Sequence, residues 1–192
     1  MKLKLVLILF AVIFSACQSH LVKTERKISR NERIMGSGTA QVNDLAGFLV
    51  KYNPEVDPKT AFQIASLYIE EADKEGVDHD IAFVQMCLET GFLKYGNQVK
   101  KEQHNFAGLG ALDSGEEGAS FPNPQIGIRA HIQHLKAYAT QEKIKQDIVD
   151  PRMKFVTKGS APRVIDLTGK WASDPSYGDK ILQILEKLYR GK

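Results

Sequence analysis

Glu89 is the residue whose neighbours best equip it for chemistry. Between Ile81 and Glu89 only Gln85 and Glu89 are strongly polar. Residues four apart share one face of a helix, so these two stack on a single line. A helix that is apolar around the rest of its circumference belongs inside a core. Such a helix carries one carboxylate into partly dry surroundings at its C-terminal end. Desolvation disfavours the charged form, and the negative end of the helix dipole acts in the same direction. Both raise the pKa, as a proton donor working near neutral pH requires. The plainer alternative is a helix-end glutamate reaching out to water.

Hydrolysis of a glycosidic bond commonly needs a second carboxylate opposite the proton donor. The segment 105–122 follows Glu89 and holds four glycines and three acids, Asp113, Glu116 and Glu117. Adjacent glutamates point in different directions, so Glu116 and Glu117 do not both face a cleft. Cys87 lies in the second half of the apolar helix, where a thiol is not activated, and reads as core. His131 and His134 are three apart and could join His104 at a metal, but no HExxH or comparable ligand set is present. No metal or organic cofactor is expected. Trp171 suits either a core or the flat face of a sugar ring, and Arg129 reads as an anchor for the β excursion, with contact to peptide-stem carboxylates as the alternative.

The elements that position these residues are helical. Asn43 is the expected cap of a helix carrying Leu45, Phe48 and Leu49. Asp57 and Pro58 open a second, with Ala61, Ile64, Ala65, Tyr68 and Ala72 at helical spacing and Gly76 at its end. Asp78 opens the Glu89 helix and Gly91 closes it. Asn123 and Pro124 begin another with Ile128, Ile132, Leu135 and Ala139 on one face, and Asp174 and Pro175 begin the last. No long alternating pattern of strands appears. The fold class is mainly α, with a small β or loop excursion across 105–122.

The first sixteen residues read as an export signal: Lys2 and Lys4, then an apolar run from Leu5 to Phe14 that is too short to span a bilayer. Phe14, Ser15, Ala16 and Cys17 look like a bacterial lipobox, with Cys17 lipidated. Cleavage removes two lysines and no acid, so the formal charge falls from +3 to about +1. That balance gives nucleic-acid binding little support. The remaining chain of about 175 residues suffices for one domain. With Cys17 lipidated, Cys87 is the one thiol left and no internal disulfide forms. Residues 17–40 read as a flexible tether and 41–192 as the domain.

Four stretches taken together resemble the bacterial glucosaminidases of glycoside hydrolase family 73. They are Ala82 to Phe92, His104 to Leu109, Gly127 to His131, and Trp171 to Gly178. The likeness spans about residues 58–190. It implies a lysozyme-like α+β fold, a helical lobe with a small β lobe, and peptidoglycan glycan strands as substrate. It places the essential acid on Glu89 and the saccharide cleft on Asn105, Phe106 and Gly108. It also sets Tyr177 facing that cleft; Gln85 and Trp171 join as candidate substrate contacts. The family's second acid sits on a longer hairpin than the compact interval here. Asp113, Glu116 or Glu117 fills that role, or the substrate's own 2-acetamido group attacks the anomeric carbon. The expected protein is a monomeric envelope lipoprotein held in the membrane through Cys17. Gln18 after that cysteine resembles Gram-negative patterns that sort to the outer membrane. A muramidase or lytic transglycosylase of the same fold, and a non-catalytic wall-binding lipoprotein, are the alternatives.

Overall fold

The computed structural model describes residues 28–96, 100–110 and 118–191. Cys17, Asp113, Glu116 and Glu117, with the expected signal at 1–16, lie outside the described residues. Among the described residues five α-helices run in chain order: α1 Val42–Tyr52, α2 Pro58–Glu75, α3 His79–Glu89, α4 Pro124–Ala139 and α5 Tyr177–Arg190. Short 3-10 turns occupy Lys101–Gln103, Met153–Phe155 and Val164–Leu167.

Local chemistry sets most boundaries. Asp57 accepts from the Thr60 amide at 2.9 Å ahead of Pro58, and Gly76 leaves α2 in the left-handed region at φ 76°. Asp78 accepts from the amides of Asp80 and Ile81, and Asn123 from that of Ile126. Two expected starts move. Helix α1 begins at Val42, where the Asp44 carboxylate takes the Gln41 amide at 2.9 Å, so Asn43 is not its cap. Asp174 and Pro175 form the turn leading into α5, which starts two residues beyond the proline.

Helix α3 is the axis of the molecule. It packs between α2 and α5, while α1 and α4 lie against α2. Ile81, Ala82, Phe83, Val84, Met86 and Cys87 are all fully buried, as expected of a helix apolar on every side. At roughly 1.5–3 kcal/mol for each large apolar side chain, this burial fixes the helix and whatever its last turn carries. Helix α4 approaches the loop before it closely: a Cβ on Gly127 would sit 1.8 Å from the His104 carbonyl oxygen. Only glycine fits there.

Residues 28–40, expected within the flexible tether, are docked. They are stitched to the domain by main-chain bonds from Ile34 to Pro162, Gly36 to Gly76, Asp78 to Ile34 and Val164 to Glu32. Ile34 and Ala40 are buried in the core. The buried Asp80 carboxylate accepts from the Thr39 and Ala40 amides. A single isoleucine in a polar stretch has no period to reveal it, and its partners are backbone groups far along the chain. The described part of the expected β or loop excursion is loop. Among the described residues there are isolated bridges and no strand. The loop after α3 is closed instead by Ala119 donating to Leu109 and Phe121 to Gln103.

Candidate active site

Glu89 occupies the last position of α3 and is half-buried. Directly after it, Gly91, Phe92 and Leu93 all adopt left-handed φ near 60°. That conformation costs about 1–2 kcal/mol per non-glycine residue. Packing offsets it: Phe92 stacks on Tyr52 at 4.7 Å, and the Asn53 amide donates to the Phe92 carbonyl at 2.9 Å. The chain is turned away at once, which leaves the carboxylate uncovered at the helix end.

Oxygen Oε1 of Glu89 accepts two hydrogen bonds, from Tyr177 Oη and from Trp171 Nε1 at 2.9 Å. Oε2 points toward Gly108, where a Cβ would lie 3.7 Å from it. Burial pushes the Glu89 pKa up, and the two donors oppose that without cancelling it. Tyr177 is buried; burial and then the charge on Glu89 hold its phenol protonated, so it stays a donor.

Behind this pair lies a polar chain sealed in the core. Gln85 Nε2 donates to Tyr177 Oη at 2.9 Å. His131 Nε2 is 3.0 Å from Gln85 Oε1, and Tyr68 Oη is 2.9 Å from His131 Nδ1. Gln85, His131 and Tyr68 are fully buried. Helices α2, α3, α4 and α5 each contribute one link ahead of the acid.

A furrow of about 180 Å³ shares two walls with the surroundings of Glu89, whose own side chain does not line it. Gly108 and Trp171, which flank Glu89, are two of its walls; His134, Tyr138, Arg152 and Phe155 are others. Trp171 packs edge-on against His134 at 5.0 Å, and Asp150 links His134 Nδ1 at 2.7 Å to the Arg152 amide at 2.8 Å. The Arg152 guanidinium lies 4.5 Å over the ring of Phe155, which is 65% exposed. A separate hollow of about 320 Å³, lined in part by Tyr95, Lys101 and His104, shares no residue with the furrow.

Comparison with known proteins supplies the context for this geometry. Residues 65–190 match the glucosaminidase family, described as mannosyl-glycoprotein endo-beta-N-acetylglucosaminidase. The chain belongs to the glucosaminidase family. An uncharacterized protein of Borreliella burgdorferi (strain ATCC 35210 / DSM 4680 / CIP 102532 / B31) is 44% identical over 190 residues, covering 94% of this chain and 93% of its own. Among solved structures, S. aureus autolysin E in complex with the muropeptide NAM-L-Ala-D-iGlu is 18% identical. That likeness covers 85% of this chain and 74% of the other, with a TM-score of 0.48.

In this glucosaminidase the expected site residues divide into two groups. Glu89, Tyr177, Gly108 and Trp171 come together. Gln85 joins them from behind, spending its amide on Tyr177 and His131 and presenting nothing to solvent. Asn105 and Phe106 lie inside. Asn105 is fully buried, donating to the Leu109 and Ala119 carbonyls and accepting from the Leu109 amide at 3.0 Å, so it shapes the loop that carries Gly108. Phe106 is a core residue, edge-on to Tyr68. Arg129 is structural, but it pairs with Glu71 of α2 at 2.8 Å rather than anchoring the excursion at 105–122. Sequence reasoning left out Tyr68 and His131 as site residues. One signal was available: a glutamine inside an apolar helix must find buried partners, and His131 sits on the apolar face of α4.

Proposed function

We propose that this glucosaminidase is a peptidoglycan hydrolase, an endo-β-N-acetylglucosaminidase that cuts the glycan strand on the reducing side of N-acetylglucosamine. The observation that carries the reading is Glu89, half-buried at a helix end with its pKa raised by burial, one oxygen holding two donors and the other facing Gly108.

Glu89 delivers its proton from Oε2 to the glycosidic oxygen as the bond from the anomeric carbon to that oxygen breaks. Negative charge then grows on the carboxylate, and the Tyr177 hydroxyl and Trp171 indole N–H are already aimed at it. Donors that strengthen as charge develops favour the transition state over the ground state. The second group is an acid of the following loop, Asp113, Glu116 or Glu117, or else the 2-acetamido group of the sugar itself. Among the described residues the furrow walls hold no carboxylate, and Glu89 borders them through Gly108 and Trp171. Arg152 supports an acidic glycan. Its guanidinium lies over Phe155 in the furrow wall, where a fork of N–H donors suits a carboxylate.

Residues 1–16 as an export signal and Cys17 as the lipid attachment belong to the same reading: a monomeric enzyme held at the bacterial envelope beside the wall, on the outer membrane of a Gram-negative cell. Incorporation of labelled fatty acid, lost in Cys17→Ser, tests the anchor. Mass spectrometry of digested peptidoglycan tests the bond. Reducing N-acetylglucosamine ends from the wild type and none from Glu89→Gln are expected. Reducing or anhydro-muramic ends would make it a muramidase or a lytic transglycosylase, and no cleavage by either protein would leave a wall-binding lipoprotein.

A further inference from the structure

We infer that His131 and Tyr68 are positioning residues that give the buried hydrogen-bond chain beneath Glu89 a single direction, so that the acid's proton is held on Oε2. The inference rests on Glu89 being the proton donor, and its first test does not need activity.

The direction follows from the inventory of donors. Burial, and then the neighbouring His134, drive the His131 pKa down to about 3, so the ring is neutral at working pH. A neutral imidazole has one N–H and one lone pair. Gln85 Oε1 only accepts, so His131 Nε2 carries the hydrogen and Nδ1 receives the Tyr68 hydroxyl. The Gln85 amide then turns its NH2 to Tyr177 Oη, and the one proton of Tyr177 goes to Glu89 Oε1. Every donor from Tyr68 onward points at the acid.

A reversed chain is also internally consistent up to its last member. Glu89 would carry its proton on Oε1 and donate to Tyr177, Gln85 would flip, and His131 Nδ1–H would donate to Tyr68. The Tyr68 hydroxyl would then have its hydrogen without an acceptor, because among the described residues His131 is the one hydrogen-bond partner of Tyr68 Oη. An orphaned buried donor is costly. Tyr68 is therefore the end stop that polarises the chain, and His131 is the rigid link that transmits it from α2 to α3. The Gln85 amide conducts no proton without rotating, so this is a relay of orientation. Its outcome is that Oε1 is saturated with donors and Oε2, the oxygen facing Gly108, is the seat of the transferable proton.

The direct test is 15N NMR of the histidine-labelled protein near pH 7, with the His131 signals assigned by comparison with His131→Gln. The expected result is a neutral ring protonated on Nε2; a ring protonated on Nδ1, or a charged ring, overturns the inference. Tyr68→Phe keeps the packing and removes the end stop. It is expected to mix the two tautomers of His131 and to lower kcat by about 5- to 10-fold with KM little changed. A single Nε2–H tautomer together with wild-type kcat in that variant would reduce Tyr68 to a packing residue. Should the wild type show no glycosidase activity, the proposed function fails while the tautomer measurement still decides the chain.

Discussion

Tyr177 donates its hydroxyl proton to Glu89 across 88 positions of sequence. It is thereby the link between a half-buried carboxylate and a sealed core. Its other bond, from Gln85 one helical turn behind Glu89, means the two polar residues of the apolar stretch 81–89 act through the same phenol.

Removing that phenol separates two effects. The Tyr177 hydrogen bond favours the charged form of Glu89, so Tyr177→Phe raises the acid's pKa further and moves the alkaline limb of the kcat profile to higher pH. At the same time kcat falls, because the nascent carboxylate loses a donor. Glu89→Gln, which has no proton to give, lowers kcat by about 10²–10⁴-fold. A pH–rate profile of the three proteins checks both; an alkaline limb that stays put in Tyr177→Phe breaks the link between this phenol and the acid.

Gly108 predicts a loss of activity out of proportion to stability. Its φ of +63° disfavours any side chain, at about 1 kcal/mol. A methyl group would also stand 3.7 Å from Glu89 Oε2, the oxygen that meets the glycosidic oxygen in the proposed reaction. Gly108→Ala should lower kcat/KM by at least about 100-fold while the thermal midpoint drops only a few degrees. A variant that keeps its activity would show that substrate approaches from another side.

Arg152 predicts discrimination between substrates. Arg152→Gln should weaken cleavage of carboxylate-bearing glycan strands by about 10-fold, the scale of one charge-assisted pair, and leave neutral N-acetylglucosamine oligomers nearly unaffected. Peptide-free strands and intact muropeptide strands, assayed side by side, tell a lactyl carboxylate from one on the peptide. Equal losses on neutral and acidic glycans would mean the arginine only shapes the furrow.

Acid should destabilise the fold in two steps of the same sign. Folded His131 titrates near 3 against 6.5 for the free ring, so between those values the unfolded chain binds a proton that the folded chain does not. Stability is complete above about pH 6.5 and falls as pH falls, by up to about 1.4 kcal/mol per pH unit. Glu71 acts lower: burial raises its carboxyl, but bonds from Arg129, Gln125, Lys74 and Gln146 outweigh that and hold it at about 2. Its contribution is present above the usual 4.5 and disappears as pH drops through 2. Urea midpoints from pH 7 to about 4.5 check the first step, which His131→Gln should flatten. An unchanged slope in that variant would rule out a neutral buried ring.

What the sequence shows directly is what neighbours decide. Asp57, Asp78 and Asn123 announce their helices because a cap bonds within three residues, and Glu89 stands out because α3 is otherwise apolar. Asn105 misleads for a physical reason: its type suits a sugar as well as a loop carbonyl, and only the path of the loop decides. His131 and Tyr68 meet across 63 positions, and Ile34 finds its amide's partner at Pro162, so neither local pattern nor periodicity exposes them.

The seam that binds residues 28–40 to the domain also sets a working radius. Were Cys17 to carry a lipid, eleven peptide units would separate it from Ile28, the first described residue. Fully drawn out, they reach about 40 Å. The enzyme could then trim only the wall strands next to its own bilayer, and spacer insertions ahead of Ile28 would extend its range layer by layer.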